Sequence, residues 1–140
     1  MGNCIWRFRP PPFYSQRIVG DSWHQCFALF NGERFFEAHE ALEDVWREAP
    51  AHTDLKLHLQ GLVQTAVALH HRSTGNVVGA RSVLERALRN LKGAEESFPE
   101  LDLESLRASL SQWRDYLAHT RRQSEGSPPA LPKLLLRVRD

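Results

Sequence analysis

The chain has 140 residues, a length at which a single domain can bury one hydrophobic core. Its 18 basic and 17 acidic residues leave a formal net charge of +1, which argues against the strongly basic surface of a nucleic-acid-binding protein. Hydrophobic residues make up 41% of the chain, but no run approaches the roughly 18 apolar residues that a membrane span needs.

The N-terminal segment, residues 1–20, is predicted to form an extended arm because Pro10-Pro11-Pro12 favours a polyproline conformation. Prolines and arginines interrupt it, so it does not have the apolar centre of a signal peptide. The two cysteines, Cys4 and Cys26, have neither a disulfide framework nor a metal-binding spacing. These features predict a soluble protein of the reducing cytoplasm, with no nucleic-acid or membrane partner.

Five helical patterns follow within residues 21–120, and no strand alternation interrupts them. The predicted helices cover about residues 21–30, 34–48, 54–72, 77–92 and 102–120. Gly75 and Gly93 are expected to follow helix ends, and Asn76 is the expected N-cap of the fourth helix. Residues 121–140 are predicted to be a linker and a loosely placed tail, because Gly126 and Pro128-Pro129 break a helix. The predicted fold is an all-α, single-domain, multi-helix bundle.

The third predicted helix is apolar around most of its circumference, which is typical of the buried centre of a bundle. The fourth and fifth helices are amphipathic and are expected to be outer members. On a helical wheel of the second helix, His39 falls inside the inward arc and Glu43 lies at its edge. Glu40 points outwards, where Arg47 or Arg72 could pair with it. The inward arc itself consists of Phe35, Ala38, Leu42, Val45 and Trp46.

On the third helix, Gln60, Gln64 and His71 share one narrow stripe, and His70 lies about 100° from His71. Burying an uncompensated amide or carboxylate costs on the order of several kcal/mol, so these groups need partners. We therefore predict that they face His39 and Glu43 in a buried polar network. The remaining histidines are interpreted as ordinary surface or loop residues, namely His24, His52, His58 and His119.

Three interpretations of this cluster remain open. It is a hydrogen-bond network that fixes helix register, a pocket for a small molecule, or a metal site of a hydrolase or other enzyme. In the third case His39 and Glu43, one turn apart, would bind a divalent metal ion with His71 as a further ligand. The spacing alone is weak evidence for that alternative, and glutamine is a poor ligand for zinc or iron.

Two segments resemble motifs of a known family. The first is Phe30 to Trp46, with the sequence FNGERFFEAHEALEDVW, and the second begins with LQGLVQ at Leu59 to Gln64. The second continues through ALHH, GN and GA, ending at Ala80. Together they resemble the family named domain of unknown function 309. The resemblance implies a compact helical bundle and no assigned activity. Its motif positions match His39, Glu40, Glu43, Trp46, Gln60, Gln64, His71, Gly75 and Asn76.

The sequence thus predicts a binding or structural module with a His/Glu/Gln cluster, with a metal-dependent enzyme as the alternative. It specifies neither the ligand nor a cofactor, and it leaves open whether the protein is an enzyme. The apolar residues at 5–14 and 134–136 exceed what free termini need. We expect them to form a homodimer contact or to pack on the chain's own bundle.

Overall fold

Five α-helices make up most of the described chain, which in this computed structural model comprises residues 16–119 and 127–136. They are α1 (Gln16–Asn31), α2 (Phe35–Glu48), α3 (Asp54–Ser73), α4 (Val77–Asn90) and α5 (Leu103–Ala118). A short 3-10 turn, Ala94–Glu96, lies between α4 and α5. The predicted all-α fold is therefore confirmed. Within the described residues, β pairing is limited to one antiparallel bridge between Leu101 and Leu136.

The start of α1 differs from the prediction. The helix begins at Gln16, whereas residues 16–20 were expected to belong to the extended arm. Gly20 lies inside this helix, where one glycine costs only about 1 kcal/mol relative to alanine. Packing of α1 against α2 can offset a cost of that size. The rest of the predicted arm, residues 1–15, lies outside the described residues.

The third helix is the centre of the bundle, as predicted, with α2 and α4 packed against it. Leu59, Leu62 and Ala66 are almost completely buried. Gly61 allows the close approach of α3 and the end of α4. A Cβ at position 61 would lie 2.9 Å from Cγ of Leu91 and 3.2 Å from the carbonyl carbon of Asn90.

The boundary between α3 and α4 follows the predicted capping residues. Gly75 adopts a left-handed conformation with φ of 86°. The amide of Asn76 then donates to the carbonyl of His71 at 2.8 Å, and the amide of Gly75 donates to that of Arg72 at 3.1 Å. These two bonds form a Schellman motif. Asn76 Oδ1 accepts from the amide of Gly79 at 2.9 Å, which confirms Asn76 as the N-cap of α4.

The single described cysteine, Cys26, is a packing residue in α1. Its side chain is fully buried, and the thiol is free. Burial, followed by the nearby negative charge of Asp44, raises the pKa of the Cys26 thiol to about 12. The group therefore stays protonated at neutral pH and behaves as a small apolar side chain.

The C-terminal tail is packed on the bundle over residues 127–136, which corrects the prediction of a loosely placed end. Leu134 is buried, and its amide and carbonyl both bond to the side chain of Asn31 at 2.7 and 3.0 Å. The indole of Trp113 donates to the carbonyl of Ala130 at 2.9 Å. The amide of Asp102 donates to the carbonyl of Leu135 at 2.8 Å. The expectation that the Leu134–Leu136 segment packs on its own bundle is confirmed at Leu134, whereas Leu135 and Leu136 are about half exposed.

Asn31→Ala should detach this tail, because it removes both partners of the Leu134 backbone. We expect the free energy of unfolding to fall by about 1–2 kcal/mol, and the Leu134 amide to exchange faster with solvent. Lys133→Ala is the control, since exposed Lys133 contributes one bond to the carbonyl of Asn31. It should change stability by less than about 0.5 kcal/mol. Equal losses in urea unfolding for the two variants would contradict this account.

Candidate functional site

The seven predicted site residues lie on α2 and α3, but none of them is buried. Glu40 and Gln60 are exposed, and the other five are half-buried: His39, Glu43, Trp46, Gln64 and His71. The prediction of a buried network is therefore wrong. The wheel identified the side of α2 that faces the bundle, but His39 and Glu43 lie where that side meets solvent. Water can satisfy polar atoms there, so the groups do not need one another.

The structure also divides the polar stripe of α3. Gln64 Oε1 accepts from Nδ2 of Asn90 at 2.8 Å, so Gln64 links α3 to the end of α4. Gln60 is exposed one turn earlier. A helical wheel places Gln60, Gln64 and His71 on one face of α3. In the structure α3 packs against both α2 and α4, so residues of that face contact different neighbours. Gln64 is thus a helix-packing residue in the structure.

The carboxylates of α2 form surface ion pairs. Arg47 donates to Glu43 at 3.0 Å and to Asp44 at 2.8 Å. The expected pairing of Glu40 with Arg47 or Arg72 is not among the contacts of the described residues. Glu37 pairs with Arg34, and that hydrogen bond lowers the pKa of the Glu37 carboxyl. These exposed pairs contribute little stability, so α2 presents an acidic surface whose charges are only partly compensated.

The residues that the structure does bring together are rings. The centroids of Phe36 and His39 lie 5.6 Å apart, and those of Phe36 and His70 lie 5.3 Å apart. His70 in turn lies 6.4 Å from His71. We call Phe36, His39, His70 and His71 the ring patch. Phe36 is 48% exposed, which makes the patch partly apolar and accessible from solvent.

The ring patch continues to the N-terminus of α4. Nδ1 of His71 lies 3.4 Å from Nδ2 of Asn76, the residue that caps α4. Gly79 leaves space for that cap, because a Cβ at position 79 would lie 2.5 Å from Nδ2 of Asn76. The motif residues Gly61, Gly75, Asn76 and Gly79 therefore have roles in packing or capping. His39 and His71, in contrast, contribute to an accessible surface.

Neither Phe36 nor His70 is among the site residues predicted from the sequence. The available signal was the position of Phe36 on the wheel, since a large aromatic residue outside the inward arc of α2 has no place in the core. His70 was set aside because of its angle from His71. The two rings nevertheless lie 5.3 Å apart, and both are accessible to solvent.

Trp46 lies at the other end of the α2–α3 seam. The ammonium of Lys56 lies 4.3 Å from the centroid of the Trp46 ring and forms a cation–π contact with it. The same ammonium donates to the carbonyl of Ala49 at 3.2 Å. The indole Nε1 of Trp46 is buried, and no acceptor for it occurs among the described residues. Trp46 thus joins the end of α2 to the first turn of α3.

The three predicted metal ligands do not form a compact group. Across residues 16–119 and 127–136, no set of three or more His, Cys, Asp or Glu side chains is arranged to bind a metal ion. His39 and His71 belong to the ring patch, while Glu43 pairs with Arg47. Metal binding by His39, Glu43 and His71 stays a prediction from spacing.

The prediction that His58 is an ordinary surface or loop residue is wrong. His58 is only 8% exposed, and its Nδ1 lies 2.6 Å from Oγ of buried Ser97. This contact links α3 to the segment after the 3-10 turn. Position 58 lies on the same face of α3 as Leu55 and Leu62, so helical periodicity already indicated that this side chain faces the core. Burial lowers the pKa of the imidazole, and the charges of Asp54 and Glu95 partly oppose that shift.

Comparison with known proteins places the ring patch within a family segment. The model of the family described as domain of unknown function 309 matches residues 23–83. An uncharacterized protein of Bacillus subtilis (strain 168), YpuF, is 34% identical over 70 residues, 50% of this chain and 40% of that protein. An uncharacterized protein of Aquifex aeolicus (strain VF5) is 31% identical over 83 residues, 59% of this chain and 25% of that protein. The chain spans less than half the length of these relatives. Within the described residues, no helix is both long and apolar enough to cross a membrane.

Proposed function

We propose that this chain is a small helical binding module that docks through the ring patch. The whole patch lies within residues 23–83, the segment that matches the model of the domain of unknown function 309 family. The proposed occupant is a second copy of the chain, which gives a homodimer. The free thiol of Cys26 fits a reducing compartment, and we place the module in the cytoplasm.

The observation that carries this proposal is the exposure of Phe36 between two imidazoles. Neither ring covers Phe36, whose side chain remains 48% exposed. Large exposed aromatic groups surrounded by polar residues are typical of protein–protein contact sites. The half-exposed His39 and His70 supply polar atoms beside it, as in the rim of an interface.

The distribution of charge favours a second copy as the occupant. The sequence of α2 carries five carboxylates and one arginine. Apart from Arg72, which lies over the Trp113 ring of α5, α3 carries only Lys56 and one carboxylate, Asp54. Most homodimers have two-fold symmetry, in which a surface meets its own copy in the opposite orientation. Such an arrangement brings the acidic α2 of one protomer over the nearly uncharged α3 of its partner. The two acidic α2 surfaces are then kept apart on either side of the apolar Phe36 side chains.

Analytical ultracentrifugation of the full chain over a concentration series tests the proposal. We expect a reversible dimer, and Phe36→Glu should raise its dissociation constant by about 30-fold or more, as for the loss of a hot spot of about 2 kcal/mol. Leu57→Gln is the control, because it removes an apolar side chain of similar exposure and leaves the charge of α3 unchanged. Leu57 is 46% exposed on α3 and lies thirteen residues from His70, a distance of about 20 Å along the helix.

The control should dimerise like the parent chain, and both variants should keep the parent's circular dichroism. A monomer at every concentration would overturn the homodimer. So would an equal loss of dimer in the two variants, because the ring patch would then have no special role.

A further inference from the structure

A second accessible site is lined by residues of α4, of α5 and of the turn after α4, none of which belongs to the ring patch. A groove of about 490 Å³, open to solvent, lies between α4 and α5. Its lining residues are Glu85, Leu88, Arg89, Lys92 and Arg114. All of them follow residue 83, so the groove lies outside the matched family segment and is independent of the proposed dimer contact.

Positive charge in this groove is incompletely compensated. The side chains of Arg89 and Lys92 form no hydrogen bond or ion pair with any described residue. Arg114 has a long contact of 3.4 Å from its Nε to the exposed carboxylate of Asp115. The neighbouring Arg107 differs, since it pairs with Glu95 and donates to the carbonyl of Leu91. Three cations therefore line the groove against a single carboxylate, Glu85.

We infer that this groove binds a small anion that carries a phosphate group. Two arginines provide planar forks of N–H donors that match phosphate oxygens, and Lys92 adds a point charge. Leu88 is partly buried against the core and offers an apolar wall for the rest of such a ligand. The volume lies within the range of small-molecule sites, about 300–1,000 Å³.

The distribution of charge favours a small anion over a nucleic acid. The whole chain has a formal net charge of +1, and α2 carries five carboxylates on another side of α3. Proteins that bind nucleic acids neutralise many successive phosphates along a basic track. The three cations here converge on one groove, which suits one or two phosphate groups.

Isothermal titration of the full chain with inorganic pyrophosphate and with adenosine 5′-monophosphate tests this site at constant ionic strength. Arg89→Gln combined with Lys92→Gln should raise the dissociation constant of each ligand by about tenfold or more, because two charge-assisted contacts are lost. Arg81→Gln combined with Arg86→Gln is the matched control. It removes the same charge from exposed positions of α4 that do not line the groove.

The control should change affinity by no more than about twofold. Pyrophosphate binding without binding of the nucleotide would identify a free phosphate site and support the inference in its simplest form. Equal weakening by both double variants would overturn it, since the ligand would then sense overall charge alone. The absence of saturable binding would also overturn it, as would affinity for a single-stranded oligonucleotide that exceeds that for either small ligand.

Discussion

Trp113→Ala is expected to lower the free energy of unfolding by about 3–5 kcal/mol, the largest single effect that we foresee in this domain. The side chain is 1% exposed in α5, with the Tyr116 ring at 5.5 Å and the Arg72 guanidinium at 4.9 Å. Its removal leaves a cavity and also breaks the indole bond to the carbonyl of Ala130. The tail should therefore detach as the core weakens.

Trp113→Phe separates these two contributions. Phenylalanine keeps most of the buried ring but cannot donate to Ala130, so we expect a loss of about 1–2 kcal/mol. Urea unfolding gives both free energies, and hydrogen exchange at Leu134 reports the tail. A loss below about 1 kcal/mol for Trp113→Ala would be incompatible with the burial of this side chain.

The second large effect is expected at His58. His58→Ala leaves the buried hydroxyl of Ser97 without its partner and opens space beside Phe98, whose ring centroid lies 6.4 Å away. Together these changes should lower the free energy of unfolding by about 2–4 kcal/mol. The exposed His24 is the control, since His24→Ala should stay within about 0.5 kcal/mol of the parent.

The same histidine should make stability depend on pH. Because burial lowers the pKa of His58 in the folded chain, the unfolded chain binds its proton first as the pH falls. Stability from this group is complete above the unfolded value of about 6.5 and decreases as the pH falls below it. The free energy of unfolding should therefore be lower at about pH 5 than at about pH 7, and His58→Asn should reduce that difference. A His58→Asn variant with the parent's full pH dependence would contradict the assignment.

The two proposed binding surfaces consist of different residues and can be tested separately. The ring patch lies on α2 and α3, within the residues 23–83 that the family model matches, while the basic groove lies between α4 and α5 beyond them. Phe36→Glu changes the first surface and leaves the groove residues in place. The charge variants at Arg89 and Lys92 do the reverse, so failure of one proposal leaves the other intact.

Local features of the sequence determined the helices of this protein. Apolar periodicity identified all five of them, and the uniform apolarity of α3 indicated its central place. Asn76 and Gly75 marked the boundary between α3 and α4, because N-capping and left-handed backbone are properties of single residues and their immediate neighbours. The same local evidence placed the start of α1 at about residue 21, whereas the helix begins at Gln16.

Only the tertiary structure decided which polar groups meet. A helical wheel gives the direction in which His39, Gln64 or His58 points from its helix axis. It does not show whether a neighbouring helix covers that side chain or leaves it in contact with solvent. Gln64 therefore pairs with Asn90 instead of His39, and His58 is enclosed with Ser97. The tail likewise packs through contacts between residues distant in sequence. Asn31 bonds to Leu134, 103 positions away, and Trp113 bonds to Ala130, 17 positions away. Burial and partnership depend on such distant contacts, and periodicity within one helix carries no information about them.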